Sequence, residues 1–377
     1  MIRLDTLADL ATAPGPFATA YFDATRAEEL APKIVATRWR ALREVLESEG
    51  ADAATLDAMQ AAAESEDHVS GEHGRVLVGS GGALRWDVAL PAPPPHDFAR
   101  FSPLPHLMPA VTALGPREPY IVALVDRAGA DVTVHGPDTV QERTIEGKRY
   151  PIRKTGLGGW SALRYEHRAE DLWERNARQV AEVIESEVRR VAPAVVILAG
   201  DVRARETLRK VLAEAAAELV VELPTGGRAE GIDEEKLQNE IDTVVARVAA
   251  ERDQAVIDRF TEAYGRAKAG VGDVLAAAGA ADTVDALRSA EVEHLLIVED
   301  PDSEAQAWIG PEPIHLGITV EEVTALGVDD PTPERLDAAL VRAAAGTDAA
   351  VVSLAPGQLD LPDGLGATLR YPRPALG

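Results

Sequence analysis

Apolar residues in the first third of the chain follow two different periods. Residues 17–24 alternate as in a strand, and residues 31–48 and 53–65 have the three-to-four-residue spacing of helices. Two strand-like runs enclose the glycine-rich residues 79–82, which is typical of a β-hairpin. The proline-rich residues 91–98 predict a connector that cannot continue a sheet. The first 115 residues therefore predict an α/β domain.

The second third combines strand-like runs with one long amphipathic helix. Strands are predicted on both sides of residues 127–130 and again at residues 140–152. A helix is predicted at residues 161–191, followed by a buried strand, a Gly-Asp turn, a helix and another strand. Residues 233–270 predict one long polar helix or two. The helix at 161–191 has a single apolar stripe that predicts one buried face, formed by Trp173, Ala177, Val180, Ile184, Val188 and Val191.

The last third predicts a smaller α/β sandwich. Residues 271–301 have the pattern of two helices and a buried strand, and residues 337–356 that of a helix and a strand. Residues 366–371 predict a final strand. Together the patterns predict an α/β protein of three domains, at residues 1–115, 116–268 and 269–377.

Charge is distributed unevenly along the chain. The 377 residues carry a formal charge of −25, which disfavours general binding to nucleic acid. Residues 143–168 nevertheless contain seven Lys or Arg and only two acids, whereas residues 268–377 contain six basic and nineteen acidic residues, a charge of −13. The basic stretch therefore marks a candidate site for an anionic partner.

The composition excludes several classes of protein. There is no cysteine, so disulfides, thiolate catalysis and cysteine zinc sites are excluded. No apolar run approaches the roughly 20 residues of a transmembrane helix, and the N-terminus lacks the pattern of a secretory signal. We expect a cytoplasmic monomer that contacts no membrane.

A glycine-rich loop lies at the centre of the basic stretch and carries its most specific motif. Residues 154–160 read KTGLGGW, and SALR follows as the long helix begins. This segment resembles the class I release factors of archaea and eukaryotes, in which a basic glycine-rich loop ends in Gly-Gly-Gln before the same helix. The match covers the predicted second and third domains, but residues 1–115 do not visibly match the stop-codon-reading domain. The pattern resembles the bacterial branch of the release factor and Pelota superfamily, whose members include the Balon-type ribosome hibernation factors.

The resemblance implies a fold and a set of partners. It implies an RNase H-like middle domain and a C-terminal domain with a ribosomal-protein-like fold. It also implies a protein that occupies the ribosomal A site, reaches ribosomal RNA at the peptidyl-transferase centre and is delivered by elongation factor Tu. The RNA-binding residues implied by position are Arg153, Lys154, Gly156, Gly158, Gly159, Trp160, Ser161, Arg164 and Arg168.

One residue departs from the family pattern. Trp160 occupies the position of the catalytic Gln, and its indole offers one N–H donor, no acceptor and a large surface for stacking. Stacking on a nucleobase contributes roughly 1–3 kcal/mol, so Trp160 is suited to binding RNA, and hydrolysis is disfavoured. Three alternatives stay open: packing against the protein itself, a peptidyl-tRNA hydrolase or rescue factor, and a Pelota-like sensor of stalled ribosomes.

No cofactor or metal site is predicted. His68 and His73 with Glu72 are interpreted as a polar loop, because the histidines lack the spacing of known ligand motifs. Asp126 follows a strand, where a nuclease of the RNase H-like class would hold a metal. A two-metal site needs several converging carboxylates, so a turn residue is the simpler interpretation of Asp126.

Overall fold

In a computed structural model, the first and last parts of the chain form one structural unit and the middle part forms another. Unit 1 comprises Met1–Pro116 and Asp253–Gly377, and unit 2 comprises Arg117–Arg252. The structure describes residues 4, 7–25, 31–65, 71–115, 118–136, 139–146, 160–226, 233–271, 273–300 and 303–373, without the side chains of residues 31–32 and 160–171. The prediction of three domains stays a prediction.

The first part of unit 1 is an antiparallel sheet with helices on both faces. Its elements are α1 (Ala8–Thr12), β1 (Phe17–Asp23), α2 (Ala31–Ser48), α3 (Ala53–Ala63), β2 (Gly74–Ser80), β3 (Ala83–Leu90), β4 (Phe98–Ser102) and α4 (Met108–Leu114). The strand order is β3-β2-β1-β4. Trp39 of α2 and Met59 of α3 are buried against Phe22 and Leu77 of the sheet.

The predicted hairpin is confirmed, and its turn explains the glycines. Gly81 and Gly82 connect β2 to β3 with φ angles of 60° and 77°. Two successive positive φ angles are what the tight turn of a hairpin requires, and glycine adopts them without steric cost. Strand β4 was not predicted, because Phe98–Ser102 follows the prolines as a short run with little alternation.

Unit 2 is a mixed sheet with helices on both faces. Its elements are β5 (Tyr120–Val125), β6 (Gly129–His135), β7 (Val140–Glu146), α5 (Trp160–Val191), β8 (Val195–Gly200), α6 (Val202–Val211), α7 (Glu214–Ala217), β9 (Val220–Glu222) and α8 (Glu234–Lys268), whose last residues belong to unit 1. The strand order is β7-β6-β5-β8-β9, with β6 antiparallel to its neighbours and β5, β8 and β9 parallel. This topology agrees with the RNase H-like domain that the resemblance implied.

Alternation along β5 supplies the two cores of unit 2. Ile121, Ala123 and Val125 join the buried cluster under α5 and α6, whereas Val122 joins the cluster under α8. Successive strand residues point to opposite faces, so one strand can pack against helices on both sides. Val180 and Ile184 of the predicted stripe are buried in the first cluster.

The last part of unit 1 contains a four-stranded sheet and a small three-stranded one. Its elements are β10 (Val274–Ala278), α9 (Ala280–Arg288), β11 (Val292–Val298), β12 (Gln306–Ile309), β13 (Leu316–Gly317), α10 (Val320–Ala325), β14 (Thr332–Arg335), α11 (Leu336–Gly346), β15 (Ala350–Leu354) and β16 (Leu365–Arg373). The strand orders are β10-β16-β11-β15 and β13-β12-β14.

One predicted helix in this part is wrong. Residues 274–278 read VLAAA and favour a helix by intrinsic propensity, but they form strand β10, paired antiparallel with β16. Ala276 and Ala277 are buried there. The first helix predicted after residue 271 is therefore a strand, because burial within the sheet outweighs the weak preference of alanine.

Buried contacts explain why the first and last parts share one unit. Glu334 of β14 accepts hydrogen bonds from the backbone N–H of Leu104 at 3.2 Å and from Arg100 at 3.3 Å. His106 Nε2 lies 3.1 Å from Asp337 Oδ2. A single buried apolar cluster also includes side chains from both parts. Within the residues that the structure describes, no helix is apolar for long enough to cross a membrane.

Candidate functional site

The glycine loop that the sequence singled out lies mostly outside the described residues. Arg153, Lys154, Gly156, Gly158 and Gly159 belong to the part that is not described. Trp160 is the first residue of α5, and Ser161, Arg164 and Arg168 follow on the same helix, with their side chains not described. The helix itself confirms the prediction for residues 161–191. The RNA-binding role of these nine residues stays a prediction.

Helix α5 places the backbone of Trp160 far along the helix axis from the apolar stripe. The helix has 32 residues, which corresponds to about 48 Å at 1.5 Å per residue. The apolar stripe begins at Trp173, and its centre at Val180 and Ile184 is buried. Trp160 therefore lies about 20 Å along the helix from Trp173. The backbone that follows the glycine loop is a continuous helix from Trp160 onwards.

A buried carboxylate fixes the far end of α5 to the edge of the sheet. The Glu187 side chain is 1% exposed and lies 2.9 Å from Arg143 of β7 and 2.6 Å from Arg190 of α5. Arg190 also donates to the side-chain oxygen of Gln141 at 3.1 Å. Arg143 was one of the seven basic residues of the candidate anion site. The structure pairs it with Glu187 instead, so its charge is largely neutralised within the protein.

A second group of contacts fixes α5 near the start of its packed region. The Arg127 guanidinium lies over the ring of Trp173, 4.7 Å from the ring centre, and 3.3 Å from the Asp201 carboxylate. Asn176 donates a hydrogen bond of 3.0 Å to the backbone carbonyl of Arg127. A cation over an indole contributes about 0.5–1 kcal/mol at an exposed site. These contacts join α5 to the β5–β6 turn and to the start of α6.

The Gly-Asp turn after β8 depends on close backbone contact. Gly200 has a φ of 117°, and a Cβ there would lie 2.1 Å from the carbonyl oxygen of Val125, so only glycine fits. Asp201 accepts a hydrogen bond from Ala204 N at 3.0 Å and thereby caps α6. Burial alone would raise the pKa of Asp201. The bond from Ala204 and the charge of Arg127 outweigh it, and the pKa is lowered.

Neither candidate metal site is assembled in the described part of the chain. Asp126 Oδ1 accepts from the backbone N–H groups of Ala128 and Gly129 at 2.6 and 2.8 Å, which is the geometry of an Asx turn. His73 is buried, with Nδ1 3.0 Å from the carbonyl of Gly71. Among the described residues, no group of three or more His, Asp or Glu could hold a metal ion. Asp126 is therefore a turn residue, as interpreted. His68 lies outside the described residues, so the interpretation of His68, Glu72 and His73 as a polar loop stays a prediction.

Sequence reasoning missed the residues that hold α5 in place. Glu187 and Arg127 stand out in the sequence only as charged residues beside apolar ones. Their partners lie 44 and 74 positions away, at Arg143 and Asp201, and no local pattern connects them. A glutamate next to the buried stripe was the one available signal, because a buried carboxylate requires a partner.

Comparison with known proteins identifies relatives of both the middle region and the whole chain. Residues 119–266 match the family described as Bacterial archaeo-eukaryotic release factor family 2. The uncharacterized protein Rv2629 of Mycobacterium tuberculosis strain H37Rv is 31% identical over 375 residues, which cover 98% of this chain and 97% of that protein. The similarity therefore extends over the first and last parts as well as the middle.

Solved structures give weaker matches. The archaeal translation termination factor aRF1 has 16% identity and a TM-score of 0.27, over 98% of this chain and 96% of its own. The structure titled as a model of ribosome-bound archaeal Pelota and ABCE1 has 17% identity and a TM-score of 0.40, over 98% and 96%. The relationship accordingly rests on the sequence matches.

Proposed function

This chain belongs to the bacterial archaeo-eukaryotic release factor family, and from that premise we propose that it is a translation factor that binds the ribosomal A site and holds ribosomes in a hibernating state. In this proposal the loop 154–160 enters the peptidyl-transferase centre. Arg153, Lys154 and Arg164 contact phosphates, and Trp160 stacks on a base of the ribosomal RNA. The protein acts as a cytoplasmic monomer.

The observation that carries the proposal is the position of Gly158-Gly159-Trp160. The two glycines precede Trp160, and Trp160 begins a 32-residue helix held to the rest of unit 2 by the Glu187 and Arg127 contacts. A helix fixed at one end supports delivery of its other end into a confined site. Trp160 lies about 20 Å along the helix axis from Trp173. This arrangement favours a loop that works by reaching a distant partner.

The chemistry of Trp160 favours occupation of the peptidyl-transferase centre over hydrolysis of peptidyl-tRNA. Release by the class I release factors of archaea and eukaryotes depends on a glutamine next to the ester that water attacks. An indole lacks an acceptor for that water and fills the space in which it would bind. The same indole offers a broad face to a nucleobase. We therefore expect the protein to block the centre without cleaving peptidyl-tRNA.

Sedimentation with purified ribosomes tests the binding. We expect wild-type protein to pellet with ribosomes at low salt, and we expect the bound fraction to fall as salt rises, because phosphate contacts release counterions. Replacing Arg153 and Lys154 by Glu should weaken binding at least tenfold. Arg189→Glu is the control for charge reversal as such, since Arg189 is an exposed arginine of α5 outside the basic stretch. Protein that stays in the supernatant at low salt, with and without elongation factor Tu, would exclude the proposal.

A peptide-release assay separates the main alternative, a peptidyl-tRNA hydrolase or rescue factor. The retained Gly158 and Gly159 favour that alternative, because glycines allow the backbone to approach an ester closely. We expect no release of labelled peptide by wild-type protein. Release above background that is lost in Gly159→Ala would establish the alternative. The Trp160→Gln variant tests whether the loop still supports the family's chemistry.

Two further outcomes concern partners. If delivery requires elongation factor Tu, its presence should raise the bound fraction, and the acidic residues 268–377 are the proposed surface for it. A Pelota-like sensor would instead bind stalled ribosomes selectively and promote their splitting into subunits. Profiles of ribosomes on sucrose gradients distinguish these cases, because hibernation preserves intact ribosomes and splitting depletes them.

A further inference from the structure

A large cavity lies inside unit 1, between its first and last parts. Its volume is about 690 Å³, within the usual range for small-molecule sites. The proline-rich residues 91–95 and helix α4 form one wall, and the end of β11 and the start of α11 form the other. The residues that line this cavity belong to unit 1, whereas the loop site belongs to unit 2, so what the cavity binds is a separate question from ribosome binding.

The wall from the first part presents an aromatic surface that is held rigidly. Phe98 stacks on the fully buried Tyr21, with ring centres 4.7 Å apart and planes inclined by 16°. Phe98 itself is only partly buried and lines the cavity, and His96 lies 6.0 Å from it. Gly74 lets the prolines pack closely, since a Cβ there would lie 2.6 Å from the carbonyl oxygen of Ala92. The cavity therefore has a fixed aromatic and apolar side.

The wall from the last part presents three carboxylates that form no close ion pair among the described residues. Glu299, Asp300 and Asp363 line the cavity, and none of the three forms an ion pair with any residue that the structure describes. Their recorded side-chain contacts are hydrogen bonds: Ser353 donates to Glu299 at 3.0 Å, and Ala280 N donates to Asp363 at 3.0 Å. Asp300 also attracts the Arg335 guanidinium and helps to raise its pKa, after the larger contribution of the hydrogen bond from Arg335 to Asp337. Because Arg335 is shared with Asp337, the wall keeps a surplus of negative charge for a ligand.

The cations around the cavity are already neutralised. The Arg335 guanidinium donates two hydrogen bonds to the Asp337 carboxylate, at 3.0 and 2.9 Å. The Arg100 guanidinium lies 3.3 Å from the Glu334 carboxylate. Two guanidinium groups against five carboxylates give the lining a formal charge of −3. An anionic ligand would meet this surplus of negative charge, whereas a cation would offset it.

We propose that the cavity binds an organic ammonium compound, a protonated or quaternary amine carried on an apolar body. The ammonium group lies between the Phe98 ring and the carboxylates of Glu299 and Asp300, because the face of an aromatic ring attracts cations and the carboxylates supply the opposite charge. The apolar body packs against the prolines and Met108. A bound ligand contacts both parts of unit 1 and stabilises their association.

Three small probes of similar size test the proposal. Benzyltrimethylammonium carries the expected charge, benzyl alcohol is neutral and benzoate is negative. Ligand-detected NMR or calorimetry on the full chain should give the highest affinity for benzyltrimethylammonium and no binding of benzoate. The thermal unfolding temperature of the full chain should rise only with benzyltrimethylammonium, because only a bound ligand stabilises the folded state.

Charge-removing variants locate the site. Glu299→Gln combined with Asp300→Asn should lower the affinity for benzyltrimethylammonium by about tenfold, as expected for two partly exposed charge contacts. Phe98→Leu should lower it by about threefold while keeping an apolar side chain. Asp329→Asn combined with Asp330→Asn is the control, because it removes the same charge from two exposed residues that do not line the cavity.

Several results would overturn the proposal. Equal affinity for benzyltrimethylammonium and benzyl alcohol would show that charge plays no part. Equal losses in the cavity variants and the Asp329/Asp330 control would show unspecific attraction to an acidic protein. Binding of a lysine-rich peptide without binding of benzyltrimethylammonium would assign the carboxylates to a protein surface. These outcomes are independent of ribosome sedimentation, so either proposal can fail alone.

Discussion

Glu187 in unit 2 and Glu334 in unit 1 are both glutamates with 1% side-chain exposure, but their carboxylates have different hydrogen-bond partners. Glu187 lies between the guanidinium groups of Arg143 and Arg190, which are 50% and 45% exposed. Glu334 accepts from one guanidinium, that of Arg100, and from the backbone N–H groups of Leu104 and Arg335. The first fixes a helix to a sheet edge, and the second joins distant parts of the chain.

The difference lies in what each partner can do if the carboxylate is removed. Exposed guanidinium groups can turn towards water and recover their hydration. A backbone N–H cannot move, and Leu104 is only 3% exposed. An unsatisfied buried donor costs about 1–3 kcal/mol. Equal burial of two carboxylates therefore does not mean equal importance for stability.

The largest effect is expected for Glu334→Gln. The substitution removes the charge and replaces one acceptor oxygen by an NH2 group that faces existing donors. We expect the free energy of unfolding of unit 1 to fall by about 3 kcal/mol, as measured by calorimetry on the full chain. Glu321→Gln is the control, since Glu321 is an exposed glutamate in the same part of the chain. A loss no larger than that of the control would contradict the role assigned to the backbone N–H groups.

Protonation sharpens the comparison, because unit 1 contains a buried histidine. His294 Nδ1 lies 2.8 Å from a guanidinium nitrogen of Arg259 and 2.9 Å from the Thr368 hydroxyl oxygen. A guanidinium can only donate, so Nδ1 accepts from Arg259. Burial lowers the pKa of His294 to about 4, below its usual value of about 6.5. As the pH falls, His294 is therefore protonated in the unfolded chain before it is protonated in the folded chain. The stabilisation is complete above about pH 6.5 and is lost as the pH falls towards 4.

This histidine should make unit 1 sensitive to acid. When the pH is lowered from 7 to 5, we expect protonation of His294 in the unfolded chain to lower the free energy of unfolding by about 2 kcal/mol. His294→Asn keeps an acceptor near Arg259 and cannot titrate, so the difference between wild type and variant isolates this residue. Unfolding in urea at several pH values provides the measurement. Parallel pH profiles for the two proteins would show that His294 does not carry the effect.

A smaller effect is expected for Glu187→Gln. Arg143 and Arg190 should return to water, and the remaining cost is about 1 kcal/mol. The comparison predicts a clearly smaller loss than that of Glu334→Gln, measured on the unfolding transition of unit 2. A loss as large as that of Glu334→Gln would show that the exposure of the partners does not decide the cost.

The smallest effect is expected for Asp201→Asn, at the start of α6. Asp201→Ala removes the helix cap and the contact with Arg127, which together should cost about 1 kcal/mol. Asp201→Asn keeps a capping oxygen and removes the charge, so the cost should stay below about 0.5 kcal/mol. Both are measured by thermal unfolding. Equal losses in the two variants would mean that the charge of Asp201 matters more than its cap.

Local patterns predicted most individual elements correctly. Alternation at β1 and β6, the glycines of the β2–β3 turn and the apolar stripe of α5 all express short-range constraints, and each is present in the structure. The VLAAA segment shows where local reasoning fails. Its alanines favour a helix in isolation, and only pairing with β16 makes them a strand. Intrinsic preferences of a few tenths of a kcal/mol do not outweigh such pairing.

Long-range organisation could not be predicted for a related reason. Glu334 meets Leu104 across 230 positions, and Arg127 meets Asp201 across 74, so no periodicity links them. The loop site came from a resemblance whose most specific motif lies near the start of α5, and its role stays a prediction. The sequence overestimated the positive charge that the basic stretch offers to a partner, because a count of charges does not show that Arg143 is already paired with Glu187.

Cryo-electron microscopy of the protein bound to purified ribosomes would test the central claim most directly. The account predicts density for the chain in the A site, with loop 154–160 in the peptidyl-transferase centre and the Trp160 indole stacked on a ribosomal RNA base. It also predicts an intact peptidyl-tRNA bond when the P site is filled. Density outside the A site, or a Trp160 side chain packed against its own domain, would contradict the account.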